Sequence, residues 1–172
     1  DLYDAPIGHM WTRSQIIVRA SPTIALGSYY QFDGYLSNNG RLLVDHYPLH
    51  AQAVELVALG DLRSVGETLL STHAYHRNGG EAWDGVAPTE FSLSDSGLPV
   101  SARKGWVEYL YYHSGVEWLW SEDGNSWRPL APDVDFELKR GLAFAESLDS
   151  LKARILAAGF TTTQLQRVVH NL

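Results

Sequence analysis

"WVEYLYYHSGVEWLWSEDGNSWRPL", residues 106–130, interleaves aromatic and branched side chains with polar ones and is cut twice at glycine. Alternation with a period of two is what a strand needs to present one face to a core, and Ser-Gly and Asp-Gly pairs supply the positive φ of tight turns. The stretch predicts a β-meander. Its strands run over 106–112 and 116–120, with turns at Ser114-Gly115 and Asp123-Gly124, and a third short strand passes through Trp127. Trp118 and Trp120 share one face of their strand, and core packing accounts for that face. The rings on the other face invite stacking on a sugar or base, or contact with a protein partner. Trp106, Tyr109 and Tyr111 are the candidate partner-binding residues.

Upstream, "SQIIVRA" (14–20) and "IALGSYYQF" (24–32) flank Ser21-Pro22-Thr23 and read as a β-hairpin. Asp33-Gly34 breaks the second strand. Asn38-Asn39-Gly40 makes a second break, with either Asn as the cap of a helix opening at Arg41 and carrying Leu42, Leu43, His46 and Tyr47 on one face. Pro48 starts another helix, expected to bury Leu49, Ala53, Leu56 and Val57 and to stop at Gly60. "GDLRSVGE" (60–67) reads as a compact turn with Asp61 as a cap, "TLLSTHAYH" (68–76) as a strand, and "TEFSLS" (89–94) as another. A polar, Gly-rich loop joins those two strands. Beyond residue 132 the pattern turns helical, with Ser147 and Thr161 or Thr162 as N-caps and Gly159 as the residue after a helix end.

Strands and helices thus come in blocks and not in βαβ alternation. The expected class is α+β: a mostly antiparallel sheet, made of the N-terminal hairpin and the later meander, packed with helices and followed by a C-terminal helical extension. "DLYDAPIGHM" ends in Gly-His-Met before the only methionine, so residues 1–9 read as an expression-vector scar. Residues 10–132 are then the core domain, and 133–172 a helical extension packed on it.

Without Asp1 and Asp4, 18 of the 20 acidic residues remain against 13 basic ones, a net charge of −5. That balance disfavours broad nucleic-acid binding, which rests on Lys and Arg neutralising phosphates, and suits an acidic surface offered to a partner. The absence of cysteine excludes disulfides, a thiolate nucleophile and cysteine metal sites. No apolar run is long enough to span a bilayer, and no leader follows Met10, so a cytoplasmic protein without a membrane role is expected. No cofactor is implied. A protein partner is expected, and a homo-oligomer is compatible with the sequence.

"DGYLSNNGRLLVDHY", "VELVALGDLRSVG", "AYHRNGGE" and "EYLYYHSGVEWLW" together resemble a family of small uncharacterised proteins encoded by phages, prophages and mobile elements. The resemblance spans roughly residues 15–125. Leu36 stands where that family usually has Pro, and Tyr30-Gln31 where a Cys-His pair is common. The resemblance implies an accessory protein working inside a bacterial host; it brings no catalytic residues.

Three chemistries can be written on the remaining residues. His46 and His50, four apart with Asp45 beside them, would share a helical face and hold a metal, but Pro48 between them breaks the helix. His73 or His76 with Asp33, Asp45 and Glu81 could form a metal-assisted hydrolase or nuclease centre; on a strand, however, the two histidines point apart, and Arg77 and Glu81 can simply pair across the loop. Residues 148–170 resemble a helix-turn-helix with Gly159 in the turn, although the second helix offers only Arg167 to DNA. The leading expectation is therefore a non-enzymatic protein that binds a host or phage macromolecule, with inhibition of a host system as one form of it. Asp33, Gly34, Tyr35, Asn39 and Gly40 are expected to form a structural chain reversal, with Asp33 and an asparagine accepting backbone N–H bonds and Gly34 or Gly40 at positive φ.

Overall fold

The computed structural model describes residues 12–100, 102 and 107–170. The expected scar and Trp106 lie outside the described residues. The architecture is α+β: eight strands in one mostly antiparallel sheet, with helices and a long C-terminal helix.

The predicted hairpin is β1 (Ser14–Arg19) and β2 (Ile24–Tyr30), paired antiparallel from Ser14↔Tyr30 to Arg19↔Ala25. Ser21 closes the turn, its Oγ accepting the N–H groups of Thr23 and Ile24. The meander is β6 (Tyr109–His113), β7 (Trp118–Ser121) and β8 (Arg128–Pro129). The third strand therefore forms just after Trp127. What joins the two halves is a parallel pairing of β1 with β6, Ser14↔Tyr109 through Val18↔His113.

The strand order is β4-β3-β2-β1-β6-β7-β8, where β3 is Leu62–Ser64 and β4 is His73–Ala74. The fifth strand, β5 (Thr89–Ser92), pairs with the other end of β2. Two segments differ from expectation here. Residues 62–64 form a strand where a turn was expected, and Asp61, instead of capping a helix, accepts the Tyr29 N–H on its carboxylate at 2.9 Å. Residues 68–76 are mostly not a strand. Thr68 and Ser71 bond each other's N–H groups, Arg77 donates to the carbonyls of Leu69 and Thr72, and Asn78 accepts the Ala74 N–H. These local side-chain bonds outcompete a ladder and fold the chain into a short helix, α3 (Tyr75–Gly79), ended by Gly80 at φ 72°.

Before it come α1 (Arg41–His46) and α2 (His50–Val57), separated by Pro48 as expected. Leu49 is exposed, not buried; Ala53, Leu56 and Val57 are the core side chains of α2, and Gly60 follows at φ 80°. The short helix α4 (Trp83–Val86) precedes β5.

One sheet face buries Ile16, Val18, Tyr30, Tyr111, Trp118 and Trp120 with Leu43 and Leu56 of the helices. The other packs Ile17, Ala25, Leu110 and Tyr112 against Phe91, Ala102 and Val107. Neighbouring residues thus go to opposite faces, as the strand period requires.

The last helices are α5 (Leu130–Ala157) and α6 (Thr162–His170). Pro132 sits in the first turn of α5, where its missing N–H costs nothing. Ser147, expected as an N-cap, lies inside α5. Gly159 takes φ 91°, and Thr161 caps α6 through reciprocal bonds with Gln164. The chain divides into two compact units, residues 1–134 and 135–172, so that the first turn of α5 belongs to the first unit. There Leu130 and Val134 are buried.

Candidate functional site

The residues of the expected hydrolase centre are not brought together. Asp45 lies 3.7 Å from Arg41 on α1, and His46 lies 3.9 Å from Glu67. His73 is on β4 and His76 on α3, where the His76 Nδ1–H donates to the Glu81 carbonyl at 2.6 Å and the ring meets Trp83 edge-on. Arg77 spends its donors on Leu69, Thr72 and Asn78 in place of the expected pairing with Glu81. His50 donates to the Arg19 carbonyl at 2.7 Å, on a different helix from His46. Among the described residues, no three His, Asp or Glu side chains form a group able to hold a metal ion.

Residues 33–40 reverse the chain, but by other contacts than those expected. Asp33, not a glycine, takes the left-handed conformation (φ 54°), which a short polar side chain tolerates. Gly34 is there for close approach: its N–H donates to Thr12 at 2.9 Å and its carbonyl accepts the Tyr111 hydroxyl at 2.6 Å. Gly40 is helical at φ −56°. The asparagine amides donate and do not accept, Asn38 to the Asp33 carbonyl and the buried Asn39 to Ser14 Oγ. Both asparagines lie within a π-helical turn, Leu36–Gly40, in which the Tyr35 carbonyl gathers the N–H groups of Asn38, Asn39 and Gly40.

The aromatic row of the meander is interior. Tyr111 is fully buried, its phenol pushed well above its ordinary value by desolvation, so it cannot meet a partner. Tyr109 stacks on it at 6.3 Å and sits 6.0 Å from Trp120. The Trp120 indole donates to Asp133, and Arg128 lies 4.7 Å over its ring.

Three polar arrangements escaped the sequence reading, the first two because each joins residues far apart in the chain. Tyr75 donates to Gln31 beside Asp61, Tyr29 and Arg13. His113 and Trp118 bond the carbonyls around Pro48. Next to Trp120, a hollow of about 240 Å³ is lined by Ser121, Glu122, Asp123, Ser126 and Arg128. The Asp123 carboxylate is already engaged there: N–H groups of Ser126 and Asn125 and the Ser121 hydroxyl hold it down at about 2.

Among the described residues, α5 carries the most exposed large apolar side chains. Phe136, Leu142 and Phe144 are 63%, 65% and 69% exposed, and Phe160 beyond the helix is also exposed. No described helix is long and apolar enough to cross a membrane.

Comparison of the chain with protein-family models, with curated proteins and with solved structures gives no match.

Proposed function

We propose that the chain is a non-enzymatic accessory protein of a phage or mobile element that binds a macromolecular partner, a protein above all, in the cytoplasm of its bacterial host. The observation that carries this reading is the exposure of Phe136 and Phe144, eight residues apart and so on one side of α5, since large apolar side chains left in water along one helix side mark interaction surfaces. The resemblance of residues 15–125 to phage and mobile-element proteins supports the setting, and inhibition of a host system is one form the binding can take. The contact surface moves from Tyr109 and Tyr111 to the helix. The hydrolase reading loses support because, among the described residues, His73, His76, Asp33, Asp45 and Glu81 form no group able to hold a metal, and the DNA-binding reading because α6 adds only Arg167.

Capture from host lysate by the whole 172-residue chain, compared with a Phe136→Ser, Phe144→Ser double variant of matching circular dichroism, tests it. Specific partners should be depleted at least tenfold by the variant, the equivalent of about 1.4 kcal/mol. Equal recovery by both proteins would refute the assignment to α5.

A further inference from the structure

Pro48 breaks the path from α1 to α2, and the carbonyls of Tyr47 and Pro48 are left at the elbow between the helices. Such carbonyls must find donors when they are buried. The adjoining strands supply two. Trp118 on β7 donates its indole N–H to the Tyr47 carbonyl at 2.7 Å, and His113 at the end of β6 donates Nε2–H to the Pro48 carbonyl at 2.9 Å. The other ring nitrogen of His113 is also committed: Nδ1 accepts the Gly115 N–H at 3.1 Å. The ring is therefore held as the neutral Nε2–H tautomer, since one neighbour is an acceptor and the other a donor.

A second proton on His113 can go only to Nδ1. It would set an N–H against the Gly115 N–H and create a cation in a site that is 1% exposed. The Pro48 carbonyl favours the charged ring, but the other groups around it do not. From α2 comes His50, its ring 5.6 Å away and its own Nε2–H given to Arg19. Arg19 of β1 is turned away, its guanidinium on the Ser21 and Pro22 carbonyls. From β7 comes the uncharged Trp118, edge-on at 5.0 Å.

We infer that His113 is an acid-sensitive latch, closing the α1–α2 elbow onto β6 and β7 while its ring is neutral and releasing it on protonation. Burial, opposed by the Pro48 carbonyl bond and aided by His50, holds the His113 pKa below the ordinary 6.5, so the latch is closed at neutral pH. Its opening would loosen the Tyr47-Pro48-Leu49 segment, which carries the exposed Leu49. The inference does not depend on what α5 binds.

The test is a pH titration of the whole chain by NMR, with histidine rings and tryptophan indoles labelled with ¹⁵N. At neutral pH His113 should show a bare Nδ1 and a protonated Nε2. It should titrate below 6.5, and the Trp118 indole resonance should move with the same midpoint. One pH unit below that midpoint, the indole proton, corrected for intrinsic rates, should exchange about tenfold faster, an opening about 1.4 kcal/mol easier. In His113→Gln an amide replaces the Nε2–H donor without titrating, and the Trp118 response should vanish. Titration of His113 at or above 6.5, a Trp118 signal that ignores it, or an unchanged response in His113→Gln would each overturn the latch. The wild-type titration decides alone if the variant does not fold.

Discussion

Replacing Gly34 by Ala probes the junction between the first hairpin and the helices. A Cβ built on Gly34 would lie 2.7 Å from Ser14 Cβ, 2.8 Å from Ser14 Oγ and 2.8 Å from the Thr12 carbonyl oxygen. Two of these contacts are on β1 and the third is backbone just before it, so relief requires the whole reversal to move. Overpacking of this kind costs about 1–3 kcal/mol. The movement also disturbs the Gly34 N–H bond to Thr12 and the buried Tyr111 bond to the Gly34 carbonyl, and leaving a buried polar group unsatisfied costs about 1–3 kcal/mol. Against this, Ala loses less conformational freedom than Gly on folding, a gain of about 0.4–1 kcal/mol. The expected net loss is about 3 kcal/mol. Gly40 provides the control. Its φ is helical, and a Cβ there meets only side-chain ends, Val134 Cγ2 at 3.0 Å and Leu130 Cδ1 at 3.3 Å. Gly40→Ala should stay within about 1 kcal/mol of wild type. Urea unfolding at equilibrium, with unchanged denaturant dependence, measures both. A Gly34→Ala cost below about 1 kcal/mol, or one smaller than that of Gly40→Ala, would refute close approach as the reason for Gly34.

Tyr111→Phe should cost about 1–3 kcal/mol in the same assay, because the buried Gly34 carbonyl loses its hydroxyl partner. Gly60→Ala should be destabilising by at least about 1 kcal/mol, since its φ of 80° disfavours a side chain and a Cβ would sit 2.4 Å from the Val86 carbonyl oxygen. His113 also makes stability depend on pH: its folded pKa lies below the unfolded value, so the unfolded chain takes up the proton first. The stability present above about 6.5 is lost as pH falls towards the folded value. A urea midpoint lower at pH 5 than at pH 7.5, with a weaker dependence in His113→Gln, is the expected result. The Asp123 carboxyl should titrate near 2 by ¹³C NMR, so its stabilisation of the 121–126 loop is complete above the ordinary carboxylate value and fades as pH falls towards 2.

The meander was legible because its information is local: alternating aromatics and two Gly-centred turns specify strands without reference to the rest of the chain. Gly115 and Gly124 do take positive φ, at 99° and 79°. The parallel pairing of β1 with β6 was not legible, because no residue between 19 and 109 encodes which strand comes to lie beside β1. Residues 68–76 were misread for a subtler reason. Thr68, Ser71 and Thr72 look like strand residues by type, yet their hydroxyls serve the backbone nearby, and Arg77 and Asn78 reinforce them. His113 reads as the residue just past the end of a strand; its significance comes from Pro48, 65 positions earlier. The chain reversal at 33–40 was recognised as geometry, but which residue took the left-handed conformation depended on the approach of β1 to Gly34, a contact from outside the stretch.

The charge along α5 bears on the proposed use of its apolar side chains. Between residues 135 and 157 there are four acidic residues (Asp135, Glu137, Glu146, Asp149) and four basic ones (Lys139, Arg140, Lys152, Arg154). Several of these are paired along the helix: Asp135 with Lys139 at 2.8 Å, Glu137 with Arg140 at 2.7 Å, and Asp149 with Lys152 at 3.9 Å. Such exposed pairs add little stability, but they cancel the long-range field that would draw the helix to phosphates or to an anionic lipid surface. With that term removed, the favourable free energy left to the side of α5 that carries Phe136 and Phe144 is burial of those two rings, at roughly 25 cal/mol for each Å² taken from water. A surface whose attraction is apolar and whose charges are balanced along one helix suits another folded protein surface, and this supports the proposal of a protein partner over nucleic acid.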